Sequence, residues 1–154
     1  MEVFDILTPD RIFDALKLPS KKKTLLELAQ RAATITGLSQ RTIFDILQER
    51  EKLGSTGVGR GIAIPHGKFP GLDGIYGIFV RLDSPINFDS VDNEPVDLIF
   101  LLLAPEAAGA DHLKALARVS RLLRNVAMCD KLRTARNAKE IWDLFSATPS
   151  IRAA

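Results

Sequence analysis

The spacing of apolar residues changes along the chain, from helical to strand-like and back. Ser20 caps a predicted helix running to about Thr36, with Leu25, Leu26, Leu28, Ala29, Ala32 and Ala33 as its apolar side. Gly37 is placed to end it. A second helix opens at Ser39, where Leu38 and Ile43 are spaced as a hydrophobic staple. Its stripe is Ile43, Ile46, Leu47, position 50 and Leu53, with Gly54 closing it. Position 50 holds Arg50, a guanidinium on the apolar stripe near the helix C-terminus.

Strand signals surround and follow these helices. Arg11 to Leu16 is a short strand candidate, although Asp14 spoils its alternation. Ile62 to Ile64 is a short buried strand, and Gly74 to Leu82 is rich in aromatic and β-branched residues. Leu82 to Phe88 is expected to turn through Pro85. Val96 to Ala104 is apolar almost throughout, which predicts a strand covered on both faces. Helical spacing then returns. Asp111 is expected to cap a helix to about Asn125 with Leu113, Leu116, Ala117, Ser120 and Leu123 inward. Short helices follow over about Asp130–Arg136 and Asn137–Ser146. The order predicts an α/β fold, a mixed β-sheet sandwiched between helices on both faces.

Composition narrows the function classes. The 154 residues are 46% hydrophobic and 26% charged, which suits one globular domain over 1–154. A net charge of +2 gives no case for a nucleic-acid partner. The basic run Lys21-Lys22-Lys23 reads as a solvated helix face. A single cysteine, Cys129, allows neither an internal disulfide nor a cysteine-based zinc site. The longest apolar run, Leu98 to Ala104, is far shorter than the roughly 20 residues that span a bilayer. The acidic, amphipathic N-terminus does not resemble a signal peptide, so the expectation is a cytoplasmic protein without membrane insertion.

Candidate chemistry gathers at STGVGRGIAIPHGKFPG, residues 55–71. His66 lies between Pro65 and Gly67, directly after a buried strand, in a setting that presents an imidazole rather than buries one. His112 lies in the first turn of a helix, where free N–H groups and the dipole favour an anion. Arg50 can fork two hydrogen bonds onto a phosphate or carboxylate. Each has a plainer reading: a structural surface histidine, an idle helix-start residue, an arginine paired with a nearby acid. The glycines lack both the P-loop and the dinucleotide-binding spacing, so Gly54, Gly57, Gly59 and Gly61 read as turn-makers. The histidines have no short-range partner ligand, so no metal is expected.

REKLGSTGVGRGIAIPHGK, then FVRLDSPINFDSVDNEPVDLIFLLLAP and DHLKALARVSRLL, resemble the enzyme IIA domain of the bacterial phosphotransferase system. The similarity is to the fructose/mannitol superfamily and, within it, to the nitrogen-regulatory branch, over about residues 3–147. The resemblance implies a phosphoryl carrier that needs no cofactor. His66 matches the phosphoryl acceptor, as tele-phosphohistidine; Arg50 and His112 match the supporting arginine and second histidine. Ser55 and Thr56 are further candidate hydrogen-bond donors to the phosphate. The implied partners are an HPr-like phosphocarrier as phosphoryl donor and regulatory targets such as potassium transporters or sensor kinases. A homodimer is left open. The alternatives are a sugar-specific carrier serving a fructose or mannitol permease, and an interaction module without phosphotransfer.

Overall fold

The computed structural model describes residues 1–147; the rest of the expected domain range, 148–154, lies outside the described residues. Its strands are β1 (Ile12–Leu16), β2 (Gly57–Gly59), β3 (Ile62–Ala63), β4 (His66–Phe69), β5 (Tyr76–Ile86) and β6 (Val96–Pro105). Its α-helices are α1 (Lys21–Thr36), α2 (Gln40–Lys52), α3 (Ala110–Arg124), α4 (Val126–Thr134) and α5 (Ala138–Ala147). The sheet order is β1-β5-β6-β3-β2, and β4 also pairs with β6.

The apolar run of β6 is the centre of the molecule. It pairs antiparallel with β5 along one edge. The other edge is shared by two parallel partners, β3 opposite Leu98 and Ile99 and β4 opposite Leu102 to Pro105. Side chains alternate across a strand, so Leu98, Phe100 and Leu102 enter one core with α3, α4 and α5. Ile99, Leu101 and Leu103 enter the other, with α1 and α2. All six are fully buried, and burying one such side chain is worth about 1.5–3 kcal/mol. This accounts for the unbroken hydrophobic run and bears out the expected mixed sheet between two helical layers.

Local chemistry sets the helix ends. Ser20 and Ser39 accept the Lys23 and Thr42 amides at the starts of α1 and α2, and Gly37 closes α1 at φ 79°. The glycine-rich stretch forms a hairpin between β2 and β3. Its turn residues Arg60 and Gly61 have φ 56° and 81°, the positive pair a two-residue type I′ turn needs.

Several expectations need correction. Leu53 is 85% exposed, so the α2 stripe ends before it. β5 runs through Pro85 to Ile86; the pairing with β6 is irregular between Arg81 and Ile86, and proline is tolerated where the ladder is broken. β1 starts at Ile12, with Arg11 in a preceding 3-10 turn, and its ladder shifts between Phe13 and Leu16 around Ala15 at φ 58°. The N-cap of α3 is Gly109 rather than Asp111. Its buried stripe is His112, Ala115, Val119, Leu122 and Leu123, while Leu113 is 66% exposed. The helix expected from Asp130 starts earlier, at Val126, capped by the Asn125 side chain.

Candidate functional site

Pro65 interrupts the run from β3 into β4. At that kink the Ile64 carbonyl lies 2.7 Å from Nδ1 of His66, the first residue of β4. A carbonyl oxygen can only accept, so Nδ1 carries the ring proton and Nε2 of the neutral imidazole is bare. Gly67 follows for a packing reason. A Cβ there would lie 3.0 Å from Cγ2 of Ile46, so glycine is what lets α2 lie close against β4. That approach brings Arg50, in the last turn of α2, within electrostatic reach of His66.

From the opposite layer, α3 supplies His112. The two imidazole centroids are 5.9 Å apart and their planes are tilted by 45°. The three residues singled out in the sequence therefore converge where the start of β4, the end of α2 and the start of α3 meet. His66 is half-buried rather than fully presented to solvent. His112 is 6% exposed, and its Nδ1 has no hydrogen-bond partner among the described residues.

The electrostatics of the site are lopsided. Burial holds the pKa of His66 below the usual imidazole value; the Arg50 charge adds to this, while the Ile64 hydrogen bond and Glu51 oppose it. Burial also lowers His112, with His66 and Lys68 contributing. Arg50 donates from Nη1 to the Gly54 carbonyl at 2.9 Å. No carboxylate pairs with it among the described residues, so the plain ion-pair reading does not describe this arginine. Lys68 lies two residues beyond His66 in β4, hence on the same face, exposed and without an ion pair among the described residues. The result is two imidazoles beside a guanidinium and an ammonium, a bare nucleophilic ring nitrogen set among cations that favour an anionic group.

Ser55 and Thr56 have other partners. The Ser55 hydroxyl donates to the Phe88 carbonyl at 2.7 Å and accepts the Gly57 amide at 3.0 Å. The Thr56 hydroxyl donates to Glu51, whose other carboxylate oxygen accepts the Thr56 amide at 3.0 Å. In this structure both hydroxyl protons hold the loop after α2. The lysine run also departs from a purely solvated face, because Lys21 is an ion-pair partner of Glu51 at 3.0 Å. Sequence reasoning missed Glu51 and Lys68. A period-two reading of His66 and Lys68 was available once β4 was a strand; the Lys21–Glu51 pairing joins distant segments and has no local signal.

Two imidazoles and a guanidinium thus meet at one end of a mixed sheet that lies between two helical layers. Residues 5–148 match the family model described as "Phosphoenolpyruvate-dependent sugar phosphotransferase system, EIIA 2", and the chain belongs to that family. It is 54% identical to the nitrogen regulatory protein of Bradyrhizobium diazoefficiens over 99% of this chain and 100% of that one. It is 38% identical to the nitrogen regulatory protein of Klebsiella oxytoca, over 97% and 93% of the two chains. The solved structure of nitrogen regulatory protein IIA-Ntr from Neisseria meningitidis superposes with a TM-score of 0.87 at 36% identity, covering 92% of this chain and 97% of that one. The chain is thus a phosphotransferase-system component of the enzyme IIA type. Among the described residues no helix is long and apolar enough to cross a membrane.

Proposed function

We propose that this protein is a cytoplasmic phosphoryl carrier that accepts a phosphoryl group on Nε2 of His66 from the phosphohistidine of an HPr-like protein. Its phosphorylation state then governs its binding to regulatory targets. The observation that carries this reading is the 2.7 Å contact between His66 Nδ1 and the Ile64 carbonyl, which leaves Nε2 as the nucleophile. The Nε2 lone pair forms the new N–P bond as the donor's N–P bond breaks, and the electron pair of that bond stays on the donor nitrogen. Nδ1 keeps its proton throughout. One N–P bond replaces another, so the exchange is close to balanced and reversible.

The site's other groups suit the charge that moves. Transfer of a phosphoryl group relies mainly on positioning and on stabilising its equatorial oxygens. Arg50 and the His112 ring, 5.9 Å from that of His66, would flank those oxygens, with the free amides at the start of α3 behind them. The lowered pKa of His66 keeps the ring neutral, and so nucleophilic, at neutral pH. Phosphorylation adds about −1.5 to −2 charge at one place, a change a partner surface can detect. The names of the relatives support nitrogen regulation as the setting.

The test is incubation with phosphoenolpyruvate, enzyme I and an HPr-like protein. The expected product is an acid-labile, base-stable phosphoprotein, absent in His66→Ala. Normal labelling of His66→Ala would refute the assignment.

A further inference from the structure

We propose that Glu51 is a positioning residue for phosphoryl transfer: its buried carboxylate clamps Thr56 and so fixes the loop that holds Arg50 beside His66. The inference rests on the phosphoryl-carrier reading and names a residue that reading does not use.

Glu51 sits in the last turn of α2, next to Arg50, yet its side chain is only 6% exposed. A buried carboxylate is costly unless hydrogen-bonded. This one is fully engaged, with one oxygen on the Thr56 amide at 3.0 Å and the other on the Thr56 hydroxyl. The two bonds close residues 51–56 into a loop. Inside that loop lies the Gly54 carbonyl, which accepts from Arg50 Nη1 at 2.9 Å. The chain of contacts therefore runs from Glu51 to Thr56, through the loop backbone to Gly54, and on to the guanidinium. The neighbouring Ser55 hydroxyl pins the same loop to Phe88.

The carboxylate also acts through its charge. Among the described residues it is the acidic group whose field bears on His66, where it opposes burial and Arg50. The other charged or titratable groups near the pair are His112, Lys68 acting on His112, and Lys21 with its second partner Asp89. Lys21 neutralises Glu51 from α1, at 3.0 Å, and its ammonium lies 4.8 Å from the Phe88 ring centroid. Neither of the two bonds to Thr56 is made by Lys21. Removing it breaks the ion pair but leaves the Thr56 clamp.

That separation gives the test. Glu51→Gln, Thr56→Ala and Lys21→Met are compared with the unaltered chain for phosphoryl uptake from an HPr-like donor, with the His66 pKa followed by NMR. Glu51→Gln is expected to lower kcat about 10- to 100-fold with the KM for donor little changed, as loss of positioning does. It should also move the His66 pKa further down. Thr56→Ala should lose part of the rate, about 3- to 10-fold, and serves if the Glu51 variant does not fold. Lys21→Met should stay within about 3-fold despite a loss of stability from breaking the pair. Full-rate transfer by folded Glu51→Gln, by Thr56→Ala, or equal losses in Glu51→Gln and Lys21→Met would overturn the proposal. Absence of uptake by the unaltered chain would instead refute the carrier reading itself, while the NMR comparison would still report on the Glu51 charge.

Discussion

Two charged clusters flank β6, and they are built on opposite terms. Beside the β2–β3 hairpin, Arg133 lays its guanidinium on Asp97 with contacts of 2.9–3.2 Å and gives a further bond of 2.8 Å to the Arg60 carbonyl. Beside β4, the Arg50 guanidinium has a single carbonyl contact, His112 Nδ1 has none, and Lys68 has no ion-pair partner among the described residues. The first cluster is chemically closed and joins α4 to the sheet. The second holds polar groups in place while leaving their bonding capacity open. Buried polar atoms are normally satisfied, so the unsatisfied His112 Nδ1 sets this cluster apart from the first.

If this contrast is right, substitutions in the two clusters should separate activity from stability. Arg50→Ala should slow phosphoryl uptake by about 100- to 1000-fold, the usual loss for one charge-stabilising donor, with the thermal midpoint nearly unchanged. Arg133→Ala should do the reverse. Leaving Asp97 without its partner should cost about 2 kcal/mol in urea unfolding, with uptake within twofold. Equal effects of both on uptake would break the distinction. His112→Leu sharpens it further. It removes a buried, unpartnered nitrogen, so stability should hold or rise by up to about 1 kcal/mol while uptake slows.

The smallest effect is on pH. Both imidazoles are held below their ordinary value of 6.5, chiefly by burial. Below pH 6.5 the unfolded chain takes up protons that the folded chain resists. Stability is thus fully present above 6.5 and declines as the pH falls through the lowered folded values. Urea midpoints at decreasing pH should show this decline, and Phe or Leu at position 112 should remove part of it.

What could be read in advance follows the range of the interactions. The caps Ser20 and Ser39, the Gly37 stop and the doubly buried β6 depend on neighbours in sequence, and they were legible. The Pro-His-Gly setting placed His66 just after the short β3 strand, but its half burial was not legible, because it depends on the distant segments packed around it. Nor was the phase of α3. Its inward stripe includes His112, and a polar residue on an apolar stripe makes the pattern slide to Leu113, which faces solvent. β4 is too short for a period to register, and its parallel pairing with β6 is set by distant residues. The continuation of β5 through Pro85 depends on a local break in its ladder that only the paired strand reveals. The Lys21–Glu51 pair was hidden for a related reason, since Lys21 comes from the first turn of α1.

The most direct test is a long-range 1H–15N spectrum of the imidazoles, recorded at neutral pH before and after exposure to a phosphorylated HPr-like donor. His66 should begin with its proton on Nδ1 and Nε2 bare, and should gain the phosphoryl group on Nε2 with Nδ1 still protonated. A starting ring protonated on Nε2, or a phosphoryl group found on Nδ1 or on His112, would contradict the account.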